Sequence, residues 1–301
     1  SLERGLWLAD KIKHYEQNSS TDDWRTNLIF IADDGPQSDN PAKNDGSIHT
    51  SDSEQLGKIV SNDIQIDKIY MVEYPYTSST SGRRKPKVTQ DLLSAINTRG
   101  GIILNYYGHG NPRVWAHENI LDRETTIPQM RNLDKLFFLT AATCDFGRFD
   151  LTDIKSGSEE MLYSSVGGAI AVLAFTRVVY ISDNSIVNMS LYSNLFKREI
   201  ETGKYLRLGD AMYNVKQTYF DIGDQKFVIL GDPTMRLQLP DYKVRIDSIN
   251  DVDITNLKET IQIKGLSKVR ISATIINPLT NMPQTDFNGT AEILTLLSPL
   301  I

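Results

Sequence analysis

Apolar positions along this chain gather in short unbroken runs, set between stretches whose apolar residues recur at helical spacing. The clearest runs are Asn27-Leu28-Ile29-Phe30-Ile31-Ala32, Gly101-Ile102-Ile103-Leu104-Asn105-Tyr106-Tyr107, Leu136-Phe137-Phe138-Leu139-Thr140-Ala141-Ala142 and residues 167–175. Near-continuous runs of this length predict strands buried on both faces, as in a parallel sheet covered by helices. Shorter strands are expected over residues 68–72 and 226–230. Between the strands the spacing predicts helices over residues 6–17, 88–97, 156–165, 182–201 and 208–219. A further helix is expected from Ser51, where Ser51 and Glu54 read as a capping box, to about Val60. Strands alternating with helices predict an α/β fold: an open, mostly parallel sheet with helices on both faces.

After Pro240 the period changes. Residues 244–249, 259–263 and 268–276 alternate polar and apolar positions with turns between them, which predicts a small antiparallel β unit. Residues 296–301 are apolar to the end, so this unit is expected to be cut short. Two domains follow, residues 1–239 and 240–301. The chain opens on Ser1 rather than Met and reads as a piece of a longer protein.

Composition narrows the function classes. Hydrophobic residues make up 40% of the chain and charged residues 23%, enough for a full core. The net charge of −6 argues against a nucleic-acid surface, and the brief basic cluster Arg83-Arg84-Lys85 with Lys87 reads as a solvated loop. The longest apolar run is far shorter than the roughly 20 residues that span a bilayer. A single cysteine excludes an internal disulfide and leaves the compartment open.

Two of the buried runs stop at reactive side chains. One ends in Gly108-His109-Gly110 and the other in Thr143-Cys144-Asp145. In open α/β sheets ligands bind at the carboxyl ends of the strands, so His109 and Cys144 can meet in space. A thiol attacks as thiolate, and a neighbouring imidazole can take its proton and later protonate a leaving amine. Gly110 leaves its N–H open to a substrate carbonyl, and the Cys144 N–H is the natural second oxyanion donor. A carboxylate on the far imidazole nitrogen would complete the set, and Asp33 and Asp34 end another strand. Each feature alone has a plainer account: a buried thiol, a glycine turn, an Asp-Gly turn. His49 and His117 are expected at the surface, and Trp115 reads as cleft lining or local packing. Asp39, Asn40, Asn44 and Asp45 offer oxygen ligands that calcium would accept, but their spacing does not follow an EF-hand, so a solvated loop is the favoured reading. No metal site is expected, since the histidines are scattered, and no phosphate loop is present.

Taken together, Asn105-Tyr106-Tyr107-Gly108-His109-Gly110, Leu139-Thr140-Ala141-Ala142-Thr143-Cys144-Asp145, Ile31-Ala32-Asp33-Asp34-Gly35 and Leu230-Gly231-Asp232-Pro233-Thr234-Met235-Arg236-Leu237 resemble the gingipain-like cysteine peptidases, which have a caspase-like fold. The resemblance covers residues 6–239. It implies Cys144 as nucleophile, His109 as general base, Asp34 as the third member, and an oxyanion hole of the Gly110 and Cys144 N–H groups. It also implies an immunoglobulin-like β domain after the catalytic one. The Asp-Asp-Gly and Gly-Asp-Pro wording is most similar to the PorU branch, whose members are C-terminal signal peptidases (sortases) of the Bacteroidota type IX secretion system. The resemblance thus implies an exported enzyme of the outer membrane or cell surface. Its substrates would carry C-terminal secretion signals, its partners would be outer-membrane secretion components, and it would need no cofactor. A secreted degradative endopeptidase and a non-catalytic caspase-like scaffold are the alternatives.

Overall fold

In a computed structural model, residues 2–18, 22–36, 44–79, 82–218, 225–257, 260–265 and 267–288 are described, and they fall into two compact units, Ser1–Leu239 and Pro240–Ile301. The first unit runs α1 (Leu2–Gln17), β1 (Asn27–Ala32), α2 (Gly46–Gly57), β2 (Gln65–Tyr70) and a ribbon of β3 (Thr77–Ser79) with β4 (Gly82–Arg84). It continues through α3 (Pro86–Ser94), β5 (Ile103–Tyr107), a second ribbon of β6 (Val114–Trp115) with β7 (Leu121–Asp122), and β8 (Phe137–Ala142). It closes with α4 (Gly157–Tyr163), β9 (Ala169–Phe175), α5 (Ile181–Leu195), α6 (Leu208–Thr218) and β10 (Phe227–Leu230).

Six of these strands form one sheet in the order β10-β9-β8-β5-β1-β2, parallel except for β10. The expected α/β architecture is the observed one. Side chains alternate across the sheet. Leu28, Phe30 and Ala32 of β1 pack with Tyr15 of α1, Leu56 of α2, Leu191 of α5 and Leu208 of α6 on one face. Ile29 and Ile31 pack on the other face with Val88 and Leu92 of α3 and Met161 of α4. Every residue of β1, β5, β8 and β9 is buried, which is why their sequences run apolar without interruption. Each large aliphatic side chain so enclosed contributes about 1.5–3 kcal/mol.

Connections set the site. The chain leaves β1 towards β2 at one edge, then returns to the far side of β1 for β5 and proceeds outward to β8. Neighbouring strands β1 and β5 therefore send their connections in opposite directions, the switch point at whose carboxyl ends open α/β sheets bind ligands.

Local boundaries differ from expectation where side chains found tertiary partners. The second helix starts at Gly46, not Ser51, because Glu54 is spent on Lys68 and Tyr70 rather than on a cap. The capping box sits instead at Ser156 and Glu159 of α4, where a cap is worth about 1 kcal/mol. Strand β2 ends at Tyr70, and Met71–Glu73 is a single 3-10 turn. Helix α5 stops at Leu195.

The second unit holds a sheet in the order β12-β11-β13, from β11 (Lys243–Ile249), β12 (Val252–Asp253) and β13 (Ile271–Ile276), all antiparallel. The strand expected over 259–263 does not form in its described part, 260–263. The apolar run 296–301 lies outside the described residues. Among the described residues no helix is long and apolar enough to cross a membrane.

Candidate active site

Strands β5 and β8 pair in parallel with Tyr107 opposite Ala142, and the Gly108 N–H donates to the Ala142 carbonyl at 3.2 Å. His109 and Cys144 each stand two residues beyond that last pair. They occupy the carboxyl ends of adjacent strands, as the sequence predicts.

The His109 loop is pinned from β1. Asp33, fully buried, accepts the His109 N–H at 2.9 Å on Oδ2 and the Gly35 N–H at 3.1 Å on Oδ1. Burial pushes the Asp33 carboxyl up, opposed by those two donors and the His109 ring. The approach is so close that a Cβ on Gly108 would lie 2.2 Å from the Asp33 Cβ. Glycine is the only residue that fits there. The Tyr106 hydroxyl adds a bond to the His109 carbonyl at 2.6 Å.

The carboxylate on the His109 ring is that of Asp45, not Asp34. Asp45 Oδ2 lies 2.9 Å from His109 Nε2, while Asp34 forms a buried ion pair with Lys85 at 2.8 Å. Lys85 also donates to the Met71 carbonyl. Asp34, expected as the third catalytic residue, thus faces Lys85 and not the His109 ring. Consecutive residues leave an extended backbone in opposite directions, so Asp33 faces His109 and Asp34 faces Lys85. Asp45 is delivered by Gly46, whose Cβ would lie 2.3 Å from the Asp34 carbonyl oxygen. The start of α2 therefore rests directly on the end of β1.

His49, expected at the surface, is 1% exposed on the next turn of α2. Its ring centroid lies 5.4 Å from that of His109 and 5.5 Å from that of Tyr107. Burial holds its pKa down to about 4, against the pull of Asp45, so the imidazole is neutral at pH 7. His117 is exposed as expected, but its ring also sits 5.2 Å from His109. Trp115 is buried, stacked on Tyr106 at 4.3 Å and packed on Phe146. It is packing, not cleft lining.

Cys144 is half-buried. Its Sγ accepts from the Val179 N–H at 3.5 Å and lies 3.6 Å from the Val179 carbonyl, and it makes no hydrogen bond to His109. Burial pushes the thiol pKa up, as does the Asp145 charge, and the Val179 N–H opposes them. The sulfur is therefore a thiol at neutral pH, and a base must deprotonate it. Asp145, immediately after it, has a φ of 57°, a strained value for a residue with a side chain. Neither the Gly110 nor the Cys144 N–H donates a hydrogen bond among the described residues. Val178 and Tyr180, on either side of Val179, are 66% and 76% exposed and form an apolar rim beside the sulfur.

A separate cleft of about 380 Å³ is lined by Arg84, Lys85, Thr89, Glu118, Asn119 and Thr126 among others, with none of Cys144, His109 or Asp45. Of the four oxygen-bearing residues in the loop read as solvated, Asp39 and Asn40 lie outside the described residues, and Asp45 is committed to His109.

Comparison with known proteins bears on the fold and the family. Among solved structures, the Arg-specific cysteine proteinase gingipain R (RgpB) superposes with a TM-score of 0.60 at 20% identity, over 82% of this chain and 56% of that one. The complex of Porphyromonas gingivalis RgpB pro- and mature domains gives 0.59 at 20% identity, over 79% and 56%. A structure described only as a protease gives 0.59 at 14% identity, over 93% and 65%. The chain thus spans a little over half of the gingipain R chain, and at these identities the likeness speaks for the fold. No curated protein sequence matches. The model of peptidase family C25 matches residues 5–238. That span runs from α1 to the close after β10 and includes both strand ends that carry His109 and Cys144, so the chain belongs to peptidase family C25, the gingipain-like cysteine peptidases.

Proposed function

We propose that this protein cleaves a peptide bond by acyl transfer to Cys144, with His109 as general base and Asp45 holding the imidazole. The observation that carries the reading is the placement of His109 and Cys144 at adjacent parallel strand ends, with a carboxylate on Nε2 of the ring. Asp45 on Nε2 favours the tautomer that leaves Nδ1 as the basic lone pair. Substrate binding draws the thiol away from Val179 and completes the base–nucleophile contact, a tightening common on formation of the Michaelis complex. His109 then takes the Sγ proton as sulfur attacks the carbonyl carbon. The Gly110 and Cys144 N–H groups stabilise the oxyanion. The C–N bond breaks, the amine leaves with that proton, and the acyl group remains as a Cys144 thioester. Water, or an amine, then attacks the thioester and releases the thiol.

The narrower reading is a C-terminal signal peptidase of exported proteins, acting at the outer membrane or cell surface alongside secretion components and able to pass the acyl group to an amine. It is supported by the Asp33-Asp34-Gly35 and Gly231-Asp232-Pro233-Thr234 wording, and the apolar Val178–Tyr180 rim suits an extended peptide. The test offers the intact protein a substrate with a folded C-terminal signal domain and an amine acceptor, with mass analysis of the products. Cleavage at one junction with an amine adduct supports the narrower reading. Unselective cleavage of unfolded chains without adduct points instead to a degradative endopeptidase, the second reading from sequence.

A further inference from the structure

Three ligating side chains that the sequence scatters converge beside the base. Asp33, His49 and His109 each offer one ligand atom, and those atoms all lie within 4.8 Å of one another. His49 supplies the independent sign. It is 1% exposed, and neither of its ring nitrogens makes a hydrogen bond; the nearest acid is Asp45, with Oδ1 3.5 Å from Nε2. A buried imidazole without a hydrogen-bond partner carries a desolvation cost that a bound ion would offset.

The donor chemistry selects the ion. Two imidazoles and one carboxylate suit zinc and its first-row neighbours, whereas calcium and magnesium take oxygen ligands. In a tetrahedral Zn²⁺ site with bonds of ~2.1 Å two ligands stand about 3.4 Å apart, so the cluster closes on the ion when each side chain moves inward by up to roughly 1 Å. Asp45, on Nε2 of His109 and next to Nε2 of His49, is placed as the outer carboxylate that orients metal-bound histidines.

We propose that Asp33, His49 and His109 form a site for a Zn²⁺-like transition-metal ion that ties up the base and reversibly silences the peptidase. The silencing rests on the function proposed above; the binding does not. Binding engages His109 as a ligand, so its lone pair no longer reaches the Cys144 proton. The thiol itself is not a ligand, since it faces Val179.

Calorimetric titration of Zn²⁺ into a Cys144→Ala variant tests this apart from activity, with the tetrahedral Co²⁺ absorption bands as a second readout. One equivalent is expected to bind. Adding His49→Gln or His109→Ala to that variant should each weaken binding by more than the ~10- to 100-fold that loss of an outer-shell partner costs. Absence of binding in Cys144→Ala, or binding unchanged by both added substitutions, overturns the site. Zinc binding in a protein whose Cys144 never reacts with acyl electrophiles leaves the metal site standing while the peptidase reading falls.

Discussion

At the residue scale, two neighbouring aspartates separate catalysis from stability. Asp45 touches the His109 ring, so Asp45→Asn should lower kcat roughly 10²- to 10⁴-fold with little change in unfolding midpoint. Asp34→Ala leaves Lys85 charged and buried without its carboxylate, which should cost about 3–5 kcal/mol of stability. Its turnover per folded molecule should stay near that of the parent. Steady-state kinetics beside urea unfolding on both variants checks the pair, and the reverse pattern would restore Asp34 to the catalytic set. His49 sets a pH dependence. Its ordinary pKa is about 6.5, and burial holds it near 4. The unfolded chain takes up a proton between those values that the folded chain refuses, so stability falls as pH drops from about 6.5 to 4. The loss is at most on the order of 3 kcal/mol. Urea unfolding across that window should show it, and His49→Gln should flatten the slope. Cys144 and His109 were legible because unbroken apolar runs ended on them. Asp45 was not, because its contact is made by the return path of a polar loop rather than by any local period.

At the element scale, the base, its carboxylate and the buried imidazole come from two elements resting on β1. Asp33 fixes the loop after β5, and α2 carries Asp45 and His49 one turn apart. Gly46 is the contact point, and its Cβ would press into the Asp34 backbone. Gly46→Ala should shift the start of α2, lower kcat at least about tenfold and destabilise the protein by roughly 1–3 kcal/mol, as overpacking does. Kinetics with thermal unfolding checks it; an unchanged kcat would show that Asp45 is placed by something else. The strands of the central sheet were readable because burial on both faces erases the alternation that marks a half-exposed strand. The start of α2 was misread because Ser51 and Glu54 have the capping spacing, yet Glu54 is worth more to Lys68 and Tyr70. Only the packed structure reveals that competition.

At the scale of the whole molecule, the order β10-β9-β8-β5-β1-β2 brings residues far apart in sequence to neighbouring strand ends. The α/β class was legible from alternation alone, and the family from its strand-end motifs. The convergence of His49 on His109 was not, because it depends on how α2 crosses the sheet. The most direct measurement is the mass and rate of labelling of the intact protein by a peptidyl acyl electrophile at pH 7. One adduct on Cys144, slowed about 100-fold or more by His109→Ala, is the predicted result. No adduct on Cys144, or the same rate without the His109 imidazole, would contradict the account.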